Sequence, residues 1–187
     1  MTFSDSPFWK TLNRFVEMRS PWLTLIGEHL EDHRGKRLDY WRIEKADSAV
    51  IVTIQQDFFI FPKPLYRPGV GEVTLDFPGG RIPPDTPRET VVRQILQREL
   101  GIERTQCDRI IPLNPQGWSV NSSFSNQKLY GFVVELAPNF NLNSDFIGAT
   151  YPVDTQGICQ LLQDLTCLQC RAVLLELINN YQSLCGL

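Results

Sequence analysis

The sequence predicts a mixed α/β domain, and three observations carry that prediction. Apolar runs of strand length fill residues 22–77, a glycine pair follows at Gly79 and Gly80, and a capped helical segment then runs to Gly101. Strand-like stretches at 109–113 and 129–136, with helical periodicity at 156–163 and 167–181, complete an alternation for which sheet and helix in layers is the expected architecture.

At the amino end, Ser6 before Pro7 reads as a helix start, and Phe8, Leu12, Phe15 and Val16 recur at helical spacing up to about Met18. A short amphipathic helix is therefore expected there. From Trp22 the pattern changes to strands at 22–30, 38–43, 49–54 and 58–61, with a polar turn over 32–36, which reads as antiparallel hairpins. A further strand at 72–77 runs into Pro78-Gly79-Gly80, a turn where a backbone without side chains can approach a ligand closely.

The helix after that turn has its start written in Thr86-Pro87-Arg88-Glu89. Thr86 can cap, Pro87 suits the first helical position, and Glu89 would close a capping box. Gly101 supplies the stop, and Thr166 is a candidate cap for the last helix. Segments 67–71 and 138–150 read as loops rather than interdomain linkers. The expected division is an amino-terminal helix and β-hairpin extension over 1–46 and a main domain over 47–187.

With 187 residues, 42% of them hydrophobic and 21% charged, the chain can bury a proper core, so disorder is not indicated. Eighteen Lys plus Arg stand against 21 Asp plus Glu, for a net charge of -3 without any basic run, and this excludes an electrostatic nucleic-acid footprint. Residues 1–10 lack a basic segment followed by an apolar one, and no apolar stretch approaches the ~20 residues of a bilayer span. The expectation is a cytoplasmic protein without a membrane partner. The five cysteines are then expected to be reduced. Cys167 and Cys170 form a CxxC that could suggest zinc or redox chemistry. With no second CxxC, and only His29 and His33 as histidines, core packing is the favoured reading.

The segment 76–102 resembles the Nudix box. That family pattern is glycine, five residues, glutamate, seven residues, arginine, glutamate, an aliphatic, any residue, two glutamates, any residue, glycine and an aliphatic. Gly80, Leu96, Glu99, Gly101 and Ile102 match without a gap. Thr86, Gln94, Ile95 and Arg98 stand where the family has glutamate, arginine, glutamate and glutamate. At ~100° per residue a helix aims positions 95, 98 and 99 to one side, where the family's acids hold Mg²⁺ for pyrophosphate hydrolysis. Here the four acidic positions are Thr, Ile, Arg and Glu, so one carboxylate remains and the local charge becomes neutral. Asp76 is the one nearby acid that could compensate. Alternatively the segment is a plain strand-turn-helix whose Val91, Val92, Ile95 and Leu96 simply pack.

Over 22–177 the chain resembles ADP-ribose and ADP-sugar pyrophosphatases within that family. The resemblance rests on Trp22-Leu23-Thr24-Leu25, Tyr40-Trp41-Arg42-Ile43, Asp47-Ser48-Ala49-Val50, Leu65-Tyr66-Arg67-Pro68, Gln160-Leu161-Leu162 and Arg171-Ala172-Val173. It implies a Nudix α/β/α sandwich with a mixed sheet and an amino-terminal β-strand extension, the strands of which build a homodimer. It further implies that Trp22 and Trp41 sandwich an adenine and that Arg67 and Gly80 lie beside the phosphates. Buried strand tryptophans and a solvated arginine are the alternatives. The Glu99 carboxylate and the Gly79 carbonyl would be the metal ligands, with Glu99 catalytic.

Two functions from different classes follow. One is a Nudix hydrolase of weak or altered activity, cleaving a nucleoside diphosphate derivative such as an ADP-sugar with Mg²⁺ weakly bound or absent. The other is a catalytically inactive nucleotide-binding module in which Arg98 supplies the positive charge that the metal would have brought. A Nudix-type transcription regulator is disfavoured, since no helix-turn-helix segment follows.

Overall fold

The computed structural model describes residues 8–185, with side chains described through residue 180. It divides into two compact units. The first comprises the chain up to Ala46 together with Ser119–Lys128, and the second comprises Asp47–Trp118 and the chain from Leu129 onward.

The first unit is a three-stranded antiparallel sheet of β1 (Lys10–Arg19), β2 (Thr24–Glu31) and β3 (Arg37–Glu44), with β2 central. The helix expected up to Met18 is therefore a strand, and its proposed start at Ser6 and Pro7 lies outside the described residues. Register shifts between Thr11 and Asn13 and between Arg14 and Val16 interrupt the two-residue alternation of β1. Leu12, Phe15 and Val16 consequently repeat at a spacing that imitates a helix. The strand forms nonetheless because β2 offers its edge along nearly the whole of β1.

Alternation along β2 sorts two faces. Ile26, Glu28 and Leu30 are buried on one, whereas Gly27 and His29 face Phe15 on the other. A Cβ at Gly27 would lie 2.6 Å from the Phe15 ring, so only glycine lets that ring cross the strand. The segment 119–128 is tied to this sheet by backbone and side-chain bonds. Ile43 N–H donates to the Phe124 carbonyl at 2.8 Å, and the Tyr40 hydroxyl donates to the carbonyl of Ser123.

The second unit is built on β4 (Ser48–Gln55) and β5 (Phe58–Pro62), followed by β6 (Leu65–Arg67), β7 (Glu72–Thr74) and β8 (Gly79–Arg81). Then come α1 (Arg88–Leu100), β9 (Cys107–Pro112), β10 (Trp118–Ser119), β11 (Lys128–Leu136), β12 (Ile147–Pro152), α2 (Thr155–Asp164) and α3 (Leu168–Cys185). A seven-stranded sheet follows the path β10-β11-β4-β5-β12, with β8 on β4 and β9 on β11, and β6 and β7 form a separate ribbon. The β4–β11 pair is parallel and the β4–β5 pair antiparallel, so the sheet is mixed.

Helices cover both of its faces. Ala49 and Ile51 of β4 and Tyr130 and Phe132 of β11 pack with Val91, Val92, Ile95 and Leu96 of α1. Gly131, pointing the other way by strand alternation, abuts Val173 of α3. Residues 49–54 of β4 are accordingly buried without interruption, as a strand covered on both faces must be. The fold is of the α/β class, as expected.

Three local expectations are corrected. No capping box forms at α1. The helix begins one residue later than Pro87, the Thr86 hydroxyl turns to the Pro84 carbonyl, and Glu89 pairs with Arg93 at 2.6 Å. Part of the expected loop 138–150 is strand, because β12 pairs with β5 from Ile147 onward. Cys167, not Thr166, precedes the first helical residue of α3, its carbonyl accepting from Arg171 N–H at 3.0 Å. The Gly101 stop is as expected, in a left-handed conformation at φ 66°. Among the described residues no helix is long and apolar enough to cross a membrane.

Candidate functional site

Gly79 and Gly80 lie in β8, paired with Val50 and Ala49 of β4, and neither has a positive φ. Their value is close approach. A Cβ on Gly79 would lie 3.0 Å from the Ala49 carbonyl oxygen, and one on Gly80 would lie 3.1 Å from Arg98 Nη2 and 3.2 Å from Ile95. The glycine pair thus brings bare backbone against α1.

The residues of α1 that face this backbone divide between core and site. Ile95 is 1% exposed and belongs to the hydrophobic cluster under the sheet, so it is a packing residue. Arg98 has a side chain 59% exposed, and that of Glu99 is 20% exposed. Arg98 Nη2 donates to the Gly79 carbonyl at 3.1 Å and to Glu99 Oε1 at 2.5 Å, while Glu99 Oε2 accepts the Gly79 N–H at 3.1 Å. The guanidinium therefore rests on both groups expected to hold a metal. Among the described residues, Arg98 Nε and Nη1 make no hydrogen bond.

The donor set does not fit Mg²⁺. That ion needs several oxygen ligands in near-octahedral geometry. The single carboxylate here already has a cation at 2.5 Å, the carbonyl is taken by the same guanidinium, and positions 86, 95 and 98 offer no oxygen anion. What the arrangement can do is present a fixed positive charge with two outward N–H groups.

Arg67 of β6 pairs through Nε with Asp76 Oδ2 at 2.8 Å, and the Thr74 hydroxyl donates to the same oxygen at 2.9 Å. The other Asp76 oxygen, Oδ1, accepts from Cys170 Sγ at 3.9 Å. Asp76, the acid expected to compensate at the metal site, is thus engaged with a strand, an arginine and a cysteine. Cys170 is 2% exposed, as a packing residue would be, but Asp76, Cys167 and Cys170 bring one ligand atom each within 4.8 Å of one another. Sequence reasoning missed this grouping because Asp76 lies 94 residues from Cys170.

Trp22 and Trp41, in the first unit, are 65% and 45% exposed and so are not buried strand aromatics. Trp41 lies opposite Gly27 in the register and meets Phe15 edge to ring at 5.3 Å. Trp22 lies in the bend that precedes β2.

The first unit also holds a buried carboxylate that the sequence did not announce. Glu28, 3% exposed, accepts from Arg14 Nε at 2.8 Å and from Arg42 Nε and Nη2 at 2.9 and 3.2 Å. The Arg42 hydrogen bond, supported by Arg14, holds the Glu28 carboxyl below the ordinary carboxylate range against the opposing effect of burial. A separate cleft of about 540 Å³, lined by Glu89, Thr90, Arg93, Gln94, Gln97 and Arg104, opens on the side of α1 away from Glu99.

No model of a known protein family matches the chain, and neither does any curated protein sequence. Among solved structures it is similar to the crystal structure of an ADP compounds hydrolase, at 21% identity and a TM-score of 0.75 over 98% of this chain and 99% of that one, a likeness that shows a shared α/β fold.

Proposed function

We propose that this chain is a Nudix-fold nucleotide-binding protein for an ADP-sugar-like diphosphate, in which Arg98 stands in for the metal ion and hydrolysis is weak or absent. The observation that carries this reading is the Arg98 guanidinium on the Gly79 carbonyl and Glu99. A guanidinium can neutralise a diphosphate and bond its oxygens through Nε and Nη1, but unlike Mg²⁺ it cannot lower the pKa of a bound water. The likeness to an ADP compounds hydrolase supports an ADP derivative as the ligand class. Trp22 and Trp41 offer exposed ring faces suited to a base. Phe8, Trp9 and Met18, exposed on and beside β1, support a homodimer through the extension, which sedimentation of the purified chain would test.

The second reading, a weak hydrolase with Glu99 as its catalytic carboxylate, is favoured by the hydrolase to which the fold is similar. Calorimetric titration with ADP-ribose, with and without Mg²⁺ and alongside an assay for released AMP, separates the two. Affinity that is the same with and without Mg²⁺, and no AMP, is the expected result. AMP release near the ~10 s⁻¹ typical of enzymes would sink the binding reading in favour of hydrolysis.

A further inference from the structure

We propose that Cys167, Cys170 and Asp76 form a site for a thiophilic divalent cation of the zinc class, with two thiolates and one carboxylate oxygen as ligands and the fourth position left to water. The site shares no ligand with the Arg98 cluster.

Local structure sets two of the ligands. Cys167 immediately precedes α3 and Cys170 lies three residues on, so both sulfurs fall on the same side of the first turn. Asp76 arrives from a different element, the segment between β7 and β8, and the three ligand atoms lie within 4.8 Å of one another.

The carboxylate is oriented for the task. Its Oδ2 is held by Arg67 Nε at 2.8 Å and by the Thr74 hydroxyl at 2.9 Å, which turns Oδ1 towards Cys170 Sγ at 3.9 Å. Outer partners of this kind fix ligand geometry and affinity in metal sites. With Zn–S near 2.3 Å and Zn–O near 2.1 Å, a tetrahedral ion needs sulfurs about 3.8 Å apart and sulfur to oxygen about 3.6 Å. The cluster is thus within roughly 1 Å of closing on an ion, a movement that side-chain torsions can supply. Charge also balances: two thiolates and a carboxylate carry three negatives, the cation two positives, and Arg67 one more. Thiolates select zinc-like ions over Mg²⁺.

A disulfide would use the two cysteines but leaves the convergence of Asp76 on Cys170 unexplained. Bound metal would clamp the segment leading into the Gly79–Gly80 strand onto the start of α3.

The test uses the full chain, reduced and freed of metal with a chelator. Added Co²⁺ is expected to give tetrahedral visible bands with a thiolate charge-transfer band. Zn²⁺ in competition with a chromophoric chelator should bind one ion per chain. Cys167→Ser and Asp76→Asn should each weaken Zn²⁺ by more than tenfold, and Thr74→Val by about tenfold. Cys159→Ser, at an exposed cysteine apart from the cluster, should bind as the parent does. Circular dichroism of the metal-free variants checks folding, and the half-buried positions 167 and 76 keep the test open should Cys170→Ser not fold. Zn²⁺ affinity unchanged in Cys167→Ser and Asp76→Asn would overturn the site. So would a reduced protein that binds no Zn²⁺ yet loses two thiols to oxidised glutathione, which would mark a redox pair instead.

Discussion

Two guanidinium–carboxylate clusters, one in each unit, differ in a way that separates structure from function. At Glu28 both carboxylate oxygens are taken by Arg14 and Arg42, whose remaining Nη1 groups turn to Glu17 and Glu44, and the acid is 3% exposed. At Arg98 a single nitrogen serves both Gly79 and Glu99, the side chain is 59% exposed, and Nε and Nη1 make no hydrogen bond among the described residues. The first cluster has its carboxylate buried and fully taken. The second has donors to spare, and its cation rests on the Gly79 carbonyl and Glu99. A buried pair that satisfies itself specifies packing, whereas an exposed one contributes little stability and is free to bind.

The comparison can be broken most forcefully at Ile95. Ile95→Glu places a carboxylate in the core without a partner, and should cost about 3–5 kcal/mol in a urea melt. A loss below about 1 kcal/mol would mean that the position belongs to the site rather than to the core.

Next in size is the closed cluster. Glu28→Ala leaves two arginines facing a vacated position and should cost about 3 kcal/mol at neutral pH, the low end for a buried pair because Arg14 and Arg42 reach solvent. Since the Glu28 pKa is lowered in the folded chain, its contribution is present above the ordinary carboxylate range and is lost as pH falls through the lowered value. The gap between the parent chain and Glu28→Gln should therefore narrow between pH 7 and pH 3 in denaturant melts. A gap constant across that span would remove Glu28 from the account.

The open cluster should behave in the opposite manner. Arg98→Ala is expected to leave stability within about 0.5 kcal/mol of the parent chain. It should weaken ADP-ribose about 10- to 100-fold, the equivalent of the ~1.5–3 kcal/mol of a charge-assisted bond, with adenosine unaffected. Equal losses for both ligands in a titration would deny the arginine a phosphate role.

The smallest effect is expected at Trp41. Trp41→Ala should weaken adenosine about fivefold, from ~1 kcal/mol of stacking, while the lost edge contact with Phe15 lowers stability by less than about 1 kcal/mol. Unchanged affinity at unchanged thermal stability would reject stacking.

The central strands were legible from the chain because their evidence is local. Residues 49–54 are an apolar run long enough to be covered on both faces, and Gly101 stops α1 because its left-handed φ suits glycine. Strand β1 was not legible, since two register shifts gave Leu12, Phe15 and Val16 a helical spacing and only the β2 edge imposed the extended form. The capping box failed for a similar reason, the helix starting one residue late and leaving Thr86 and Glu89 out of reach of each other. At the site, Thr86, Ile95 and Arg98 stood out only against the Nudix pattern that the segment resembles. The seat of Arg98 on Gly79 could not be read from the chain.

By itself the sequence determined the α/β alternation, the glycine pair ahead of a glycine-terminated helix, and a helix carrying Ile95, Arg98 and Glu99 on one side, because each is a matter of residue type at short spacing. Tertiary structure alone decided that Ile95 enters the core, that one guanidinium occupies both expected metal ligands, and that Asp76 meets Cys167 and Cys170. Those are contacts between elements up to 94 residues apart. They follow from sheet register and helix placement, which short-range periodicity does not contain.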